Sequence, residues 1–132
     1  MLAERDHVRD QILNWSRNLQ SLPPVPGVQW KLFQSSTCPD VIMFAQGENV
    51  FVRAKACPVC EASAFALSEC LMSLKRDEIK DFLSETIIQL EKGLPSTNPY
   101  LQVLSEFQKG PRGKCMLLPW RSALQFVTQE AR

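Results

Sequence analysis

Val50-Phe51-Val52-Arg53-Ala54-Lys55-Ala56-Cys57-Pro58-Val59-Cys60-Glu61-Ala62-Ser63-Ala64 holds the turning point of the chain. Val50, Val52, Ala54 and Ala56 alternate with Phe51, Arg53 and Lys55. That period of two describes a strand with one buried face. Pro58 then fits the first position of a helix, where its missing N–H is no loss and its fixed φ suits the backbone. Residues 58–74 run on as a mostly apolar segment. The stretch therefore reads as a strand delivered directly into a helix, with Cys57 at the junction.

Moving back toward the N-terminus, two more strands are expected. Residues 41–46 are apolar, and Gly47-Glu48 separates them from Val50. Gly at the first loop position suits a type II′ hairpin turn. Val28, Trp30 and Leu32 alternate with Gln29 and Lys31, a period of two that predicts a first strand. Ser35-Ser36-Thr37-Cys38-Pro39-Asp40 between them is rich in turn formers. Further back, Val8, Ile12, Trp15 and Leu19 recur at helical spacing over residues 4–21. The Leu22-Pro23-Pro24-Val25-Pro26-Gly27 segment ends that helix, because proline breaks helices and favours extended backbone.

Moving forward, the second half is helical. Ile79, Phe82, Leu83, Thr86, Ile87 and Leu90 line one side of residues 76–92, with Asp77 and Glu78 near the start and Lys92-Gly93 at the close. These charges suit the helix dipole and the glycine suits a C-cap. Leu101, Leu104 and Phe107 predict a short helix, Lys109-Gly110-Pro111-Arg112-Gly113 a loop, and Leu117, Trp120, Leu124 and Val127 a final helix. One helix, three strands and then a run of helices predict an α+β fold, with helices on one face of an antiparallel sheet. No repeat, low-complexity tract or linker interrupts it, so 1–132 reads as a single domain.

Composition narrows the partners. The chain is 45% hydrophobic and 22% charged, with 15 basic residues against 14 acidic ones. A net charge of +1 supplies neither the basic face that nucleic acid needs nor attraction to an anionic membrane. No apolar run approaches the roughly 20 residues needed to span a bilayer. Met1 to Asp10 is charged and lacks the apolar middle of a secretory signal, so the expected location is cytoplasmic, where thiols stay reduced. The cysteines then need a role other than a disulfide framework, and their odd count of five agrees.

Cys38 falls in the loop between the first two strands, two residues before Asp40. Cys57 ends the third strand and Cys115 opens the last helix. Backbone N–H groups at a helix N-terminus stabilise a thiolate, the form that binds metal or attacks sulfur. Three thiolates and a carboxylate make four ligands, which tetrahedral zinc or an iron–sulfur cluster requires. Arg53, Lys55, Arg112 and Lys114 flank these positions and would offset the negative charge. Cys57 and Cys60 form a single CxxC, whereas a zinc ribbon wants two such pairs. Its plain alternative is a reactive cysteine beside a core cysteine. Cys70 falls in an apolar helix and reads as core, as do Trp15, Trp30 and Trp120; His7 reads as a solvated residue of the first helix.

Three segments, in order, resemble the NifU/IscU/SufU family of iron–sulfur cluster scaffolds. Thr37-Cys38-Pro39-Asp40 is similar to the family's first cysteine turn, usually Cys-Gly-Asp. Ala56-Cys57-Pro58-Val59-Cys60-Glu61-Ala62-Ser63-Ala64 is similar to the second, usually Gly-Cys before small residues. Gly113-Lys114-Cys115-Met116-Leu117-Leu118-Pro119-Trp120 is similar to the third, in the SufU-like form with Lys before Cys. The IscU branch has His where Lys114 stands and a Leu-Pro-Pro-Val-Lys chaperone segment before the third cysteine, which this chain lacks there. The long stretch between Cys57 and Cys115 also favours the SufU branch.

The resemblance implies an α+β fold and a site of Cys38, Asp40, Cys57 and Cys115 that holds zinc or a nascent cluster. It implies Cys115 as sulfur acceptor, and as partners a cysteine desulfurase and the iron–sulfur assembly machinery. The activity would be sulfur transfer or scaffolding rather than turnover of a small-molecule substrate. Two residues depart from the pattern: Pro39 stands for the usual Gly, and Cys60 for the usual Ser. Both favour the alternative, a non-catalytic interaction domain of the same fold with at most a structural zinc.

Overall fold

The structure, a computed structural model, describes residues 2–35 and 39–130. Helix α1 (Leu2–Gln20) leads into strands β1 (Lys31–Gln34), β2 (Val41–Gln46) and β3 (Val50–Lys55). Helices α2 (Pro58–Met72), α3 (Ile79–Lys92), α4 (Pro99–Leu104) and α5 (Gly113–Glu130) follow. The strands form one antiparallel sheet in the order β1-β2-β3. This is the α+β arrangement that the sequence predicts.

Helix α2 lies at the centre, packed on α1, β3 and α5. Its position explains its composition. A helix covered on several sides needs apolar or small residues nearly all round. Val59 through Leu67 are accordingly all buried. On the sheet, Ile42, Phe44, Val50 and Val52 face this core, and Phe126 of α5 stacks on Phe44 at 5.4 Å between ring centroids. Each fully buried side chain of this size contributes about 1.5–3 kcal/mol. Helix α3 ends on Gly93 in the left-handed region (φ 63°), and the Leu94 N–H reaches back to the Gln89 carbonyl. That is the glycine-terminated cap expected from the sequence.

Three local expectations need correction. The first strand lies at Lys31–Gln34 rather than 28–32, and its inward residue is Phe33, whose ring meets Phe44 and Phe126 edge-on. Leu32 is 63% exposed. A period-two pattern fixes alternation but not which set faces the core, and a one-residue slip exchanges the faces. Trp30 is half-buried, not core, and lies under the Arg53 guanidinium at 5.8 Å. The β2–β3 hairpin pairs Gln46 with Val50, leaving a three-residue loop. Gly47 there does not adopt the positive φ of a II′ turn. A Cβ at Gly47 would instead fall 2.6 Å from the Phe51 ring, so ring packing is what the glycine accommodates.

Among the described residues, no helix is long and apolar enough to cross a membrane.

Candidate metal centre

The hairpin register builds the first half of the site. Val41 pairs with Lys55, so Asp40 and Ala56 lie opposite each other at one end of the sheet. Cys57 is one residue further on. The Cys57 N–H donates to Asp40 Oδ1 at 3.1 Å, and the Ser35 N–H donates to the Asp40 carbonyl at 3.2 Å. The first bond holds the carboxylate and the second the backbone of a residue that is only 5% exposed. A buried carboxylate needs such donors, because leaving an ionised group without partners is costly.

Cys57 is the N-cap of α2, with extended backbone (φ −64°, ψ 159°), and Pro58 follows at the first helical position. The Cys57 carbonyl accepts the first helical bond from the Glu61 N–H at 2.9 Å. The thiol, half-buried, therefore sits where aligned N–H groups favour negative charge.

Helix α5 supplies the third group. It begins at Gly113, which the sequence pattern placed in the preceding loop, and Cys115 lies in its first turn. Gly113 permits this close start: a Cβ there would meet the Phe107 and Gln108 carbonyl oxygens at 3.0 Å. Pro119 lies inside the helix and supplies no N–H to the Cys115 carbonyl four residues back.

A buried polar bridge fixes α5 against α2. Ser63 Oγ donates to the Met116 carbonyl at 2.5 Å and accepts from Trp120 Nε1 at 2.9 Å. On the other side of α2, buried Glu61 accepts from Ser16 Oγ at 2.8 Å and from Gln20 Nε2 at 3.0 Å. Sequence reasoning missed both bridges. Their signal is a serine and a glutamate in the otherwise apolar first half of the helix, residues 58–67.

The result is a convergence. Ligand atoms of Asp40, Cys57 and Cys115 all lie within 4.8 Å of one another. They open on a pocket of about 470 Å³ lined also by Pro39, Lys55, Ala56 and Arg112. Cys38 lies outside the described residues. Cys60 is not part of the group: its side chain points into the core and is fully buried. No disulfide joins the described cysteines. Cys70 is likewise core, receiving a weak bond from Asn98 Nδ2 at 3.7 Å.

Of the four flanking basic residues, only Lys55 and Arg112 line the pocket. Arg53 turns to the far face of the sheet, where it donates to the Pro23 and Val52 carbonyls. The charge of Cys57, then a hydrogen bond to Cys115, hold the exposed Arg112 guanidinium above its ordinary range. Burial, and then the negative charges of Asp40, Cys57 and Cys115, push the Cys60 thiol far up.

The donor set suits a thiophilic divalent ion. Tetrahedral zinc with sulfur ligands at about 2.3 Å places its ligand atoms roughly 3.7 Å apart. Atoms already within 4.8 Å reach that spacing by small side-chain movements.

No protein-family model matches the chain, and no curated protein matches it in sequence. Solved structures do. One is a hypothetical protein, with a TM-score of 0.74 at 17% identity, covering 93% of this chain and 98% of its own. A second, described as an iron–sulfur cluster assembly scaffold for the SUF system of Fervidobacterium islandicum, has a TM-score of 0.69 at 17% identity, covering 88% and 92%. A third, the N-terminal part of a NifU-like protein from Brucella abortus, has a TM-score of 0.66 at 15% identity, covering 90% of each chain. The fold of this chain is thus the NifU/SufU-type fold.

Proposed function

We propose that the chain is an iron–sulfur cluster assembly protein of SufU-like type, acting in the cytoplasm with a cysteine desulfurase as its sulfur donor. The observation that carries this reading is the meeting of Asp40, Cys57 and Cys115 within 4.8 Å, at one end of a fold shared with a SUF-system scaffold. Cys38, from the loop closed by Ser35 and Asp40, would complete the ligand set.

Cys38, Asp40, Cys57 and Cys115 would hold a zinc ion, which would keep the sulfur groups together, since metal binding is coupled to folding. The chain's own groups do the rest. The N-terminus of α2 lies at the pocket beside Arg112, whose side chain hydrogen-bonds Cys115. Cys115 Sγ attacks the terminal sulfur of the donor's persulfide. A sulfur–sulfur bond forms on Cys115, the donor's sulfur–sulfur bond breaks, and the electron pair leaves with the donor thiolate. The product of this step is a persulfide on Cys115, not a released small molecule.

The test pairs metal analysis of anaerobically purified protein with a desulfurase assay. We expect about one zinc or iron centre per chain and stimulated cysteine turnover, with stimulation lost in Cys115→Ser. Metal-free protein that leaves the desulfurase unchanged would establish the interaction-domain alternative instead.

A further inference from the structure

We propose that Cys57 and Cys60 form a redox-active dithiol, a modification site in which a low-molecular-weight disulfide converts the pair to an internal disulfide. Three observations carry it. Cys57 is the N-cap of α2 and Cys60 its third residue, with Pro58 between them, so the pair straddles a helix N-terminus. The Cys57 carbonyl already makes the first helical bond, to Glu61, so residues 57 and 60 follow helical spacing. Helix geometry then places their Cα atoms about 5 Å apart, inside the roughly 4.4–6.8 Å window that a disulfide spans.

The third observation is the contrast in exposure. Cys57 opens on the pocket, whereas Cys60 is fully buried behind it. This divides the labour between them. The accessible Cys57 sulfur meets the oxidant, and the buried Cys60 sulfur resolves the adduct. With glutathione disulfide the Cys57 thiolate attacks one sulfur, a mixed disulfide forms, and one glutathione thiolate leaves. The Cys60 sulfur then attacks Cys57 Sγ, the Cys57–glutathione bond breaks, and the Cys60 proton passes to the departing glutathione sulfur. Two protein thiols are oxidised and one glutathione disulfide is reduced to two thiols.

This inference stands apart from sulfur transfer, because it needs no metal and no desulfurase. Where Cys57 also serves as a ligand, oxidation withdraws it from the site. Cys115 is the competing partner for Cys57, being within 4.8 Å. It comes from another helix, whereas Cys60 shares a turn of backbone with Cys57.

The experiment exposes the full-length reduced protein to glutathione disulfide, traps remaining thiols with N-ethylmaleimide after unfolding, and sequences the tryptic peptide 56–75 by mass spectrometry. The expected peptide is lighter by two hydrogens, carries label only on Cys70, and bears no glutathione. In Cys60→Ser and in Cys60→Ala the reaction is expected to stop with one glutathione on Cys57. Circular dichroism of both variants confirms that they fold. A wild-type peptide that keeps glutathione on Cys57, a Cys57–Cys115 cross-link, or failure to react would each overturn the proposal.

Discussion

Asp40 accepts the Cys57 amide proton while it lies beside two thiols, so its loss acts twice. Asp40→Ala removes a candidate ligand and leaves a backbone donor without its partner. We expect zinc affinity to fall at least about tenfold, as for loss of groups that orient a metal site, measured by competition with a chromophoric chelator. Cys60 gives a pH prediction. Its thiol is pushed up by burial, so the folded state keeps a proton that the unfolded chain releases above about pH 8.5. Unfolded protein then binds fewer protons than native, and stability falls as pH rises through that region. The slope contributed by one such group approaches about 1.4 kcal/mol per pH unit. Denaturant melts of metal-free protein between pH 7 and 10 should show this loss in wild type and less of it in Cys60→Ser; equal slopes would contradict the assignment. At this scale the sequence was readable where chemistry sits at element ends, as for Asp40, Cys57 and Cys115. Ser63 and Glu61 were not, because their partners Trp120, Ser16 and Gln20 are brought to them only by tertiary packing.

Elements hold the site by two contacts that can be probed separately. Gly113→Ala places a Cβ 3.0 Å from two backbone carbonyl oxygens, which cannot swing away as a side chain would. The first turn of α5 must shift, at a cost of about 1–3 kcal/mol typical of overpacking. Because Cys115 is in that turn, metal retention should fall along with the melting temperature. Ser63→Ala leaves the Trp120 indole N–H buried without its acceptor, a cost of about 1–3 kcal/mol. Here stability is lost first, and Ser63→Thr should recover part of it if the added methyl is accommodated. Thermal melts with and without added zinc distinguish the two variants. Helices α1, α3 and α5 were legible from 3.6-residue periodicity because each has one buried stripe. Strand β1 was not, since Leu32 and Phe33 are both apolar neighbours and only packing on Phe44 and Phe126 decides which turns inward.

The molecule as a whole should respond to chelation as a single folding unit does to loss of a ligand. A metal present at a thousandfold excess over its dissociation constant stabilises the native state by about 4 kcal/mol. Removing zinc should therefore lower the melting temperature by roughly 10 °C or more for a chain of this size, read by scanning calorimetry at constant pH. An unchanged melt would mean that the thiol cluster binds nothing that folding depends on. The overall fold was legible because one transition, from alternating residues through Cys57 to the apolar run of α2, separates strands from helices.

The three donors also lie far apart along the chain, and the last of them is carried by the final helix. During synthesis Asp40 and Cys57 leave the ribosome well before Cys115 does. At about 5–20 residues per second, that pair and the neighbouring Cys38 spend seconds without Cys115. A nascent polypeptide in that interval offers a passing ion an incomplete site. Any ion held by the full set would have to wait for Cys115 to emerge from the ribosome.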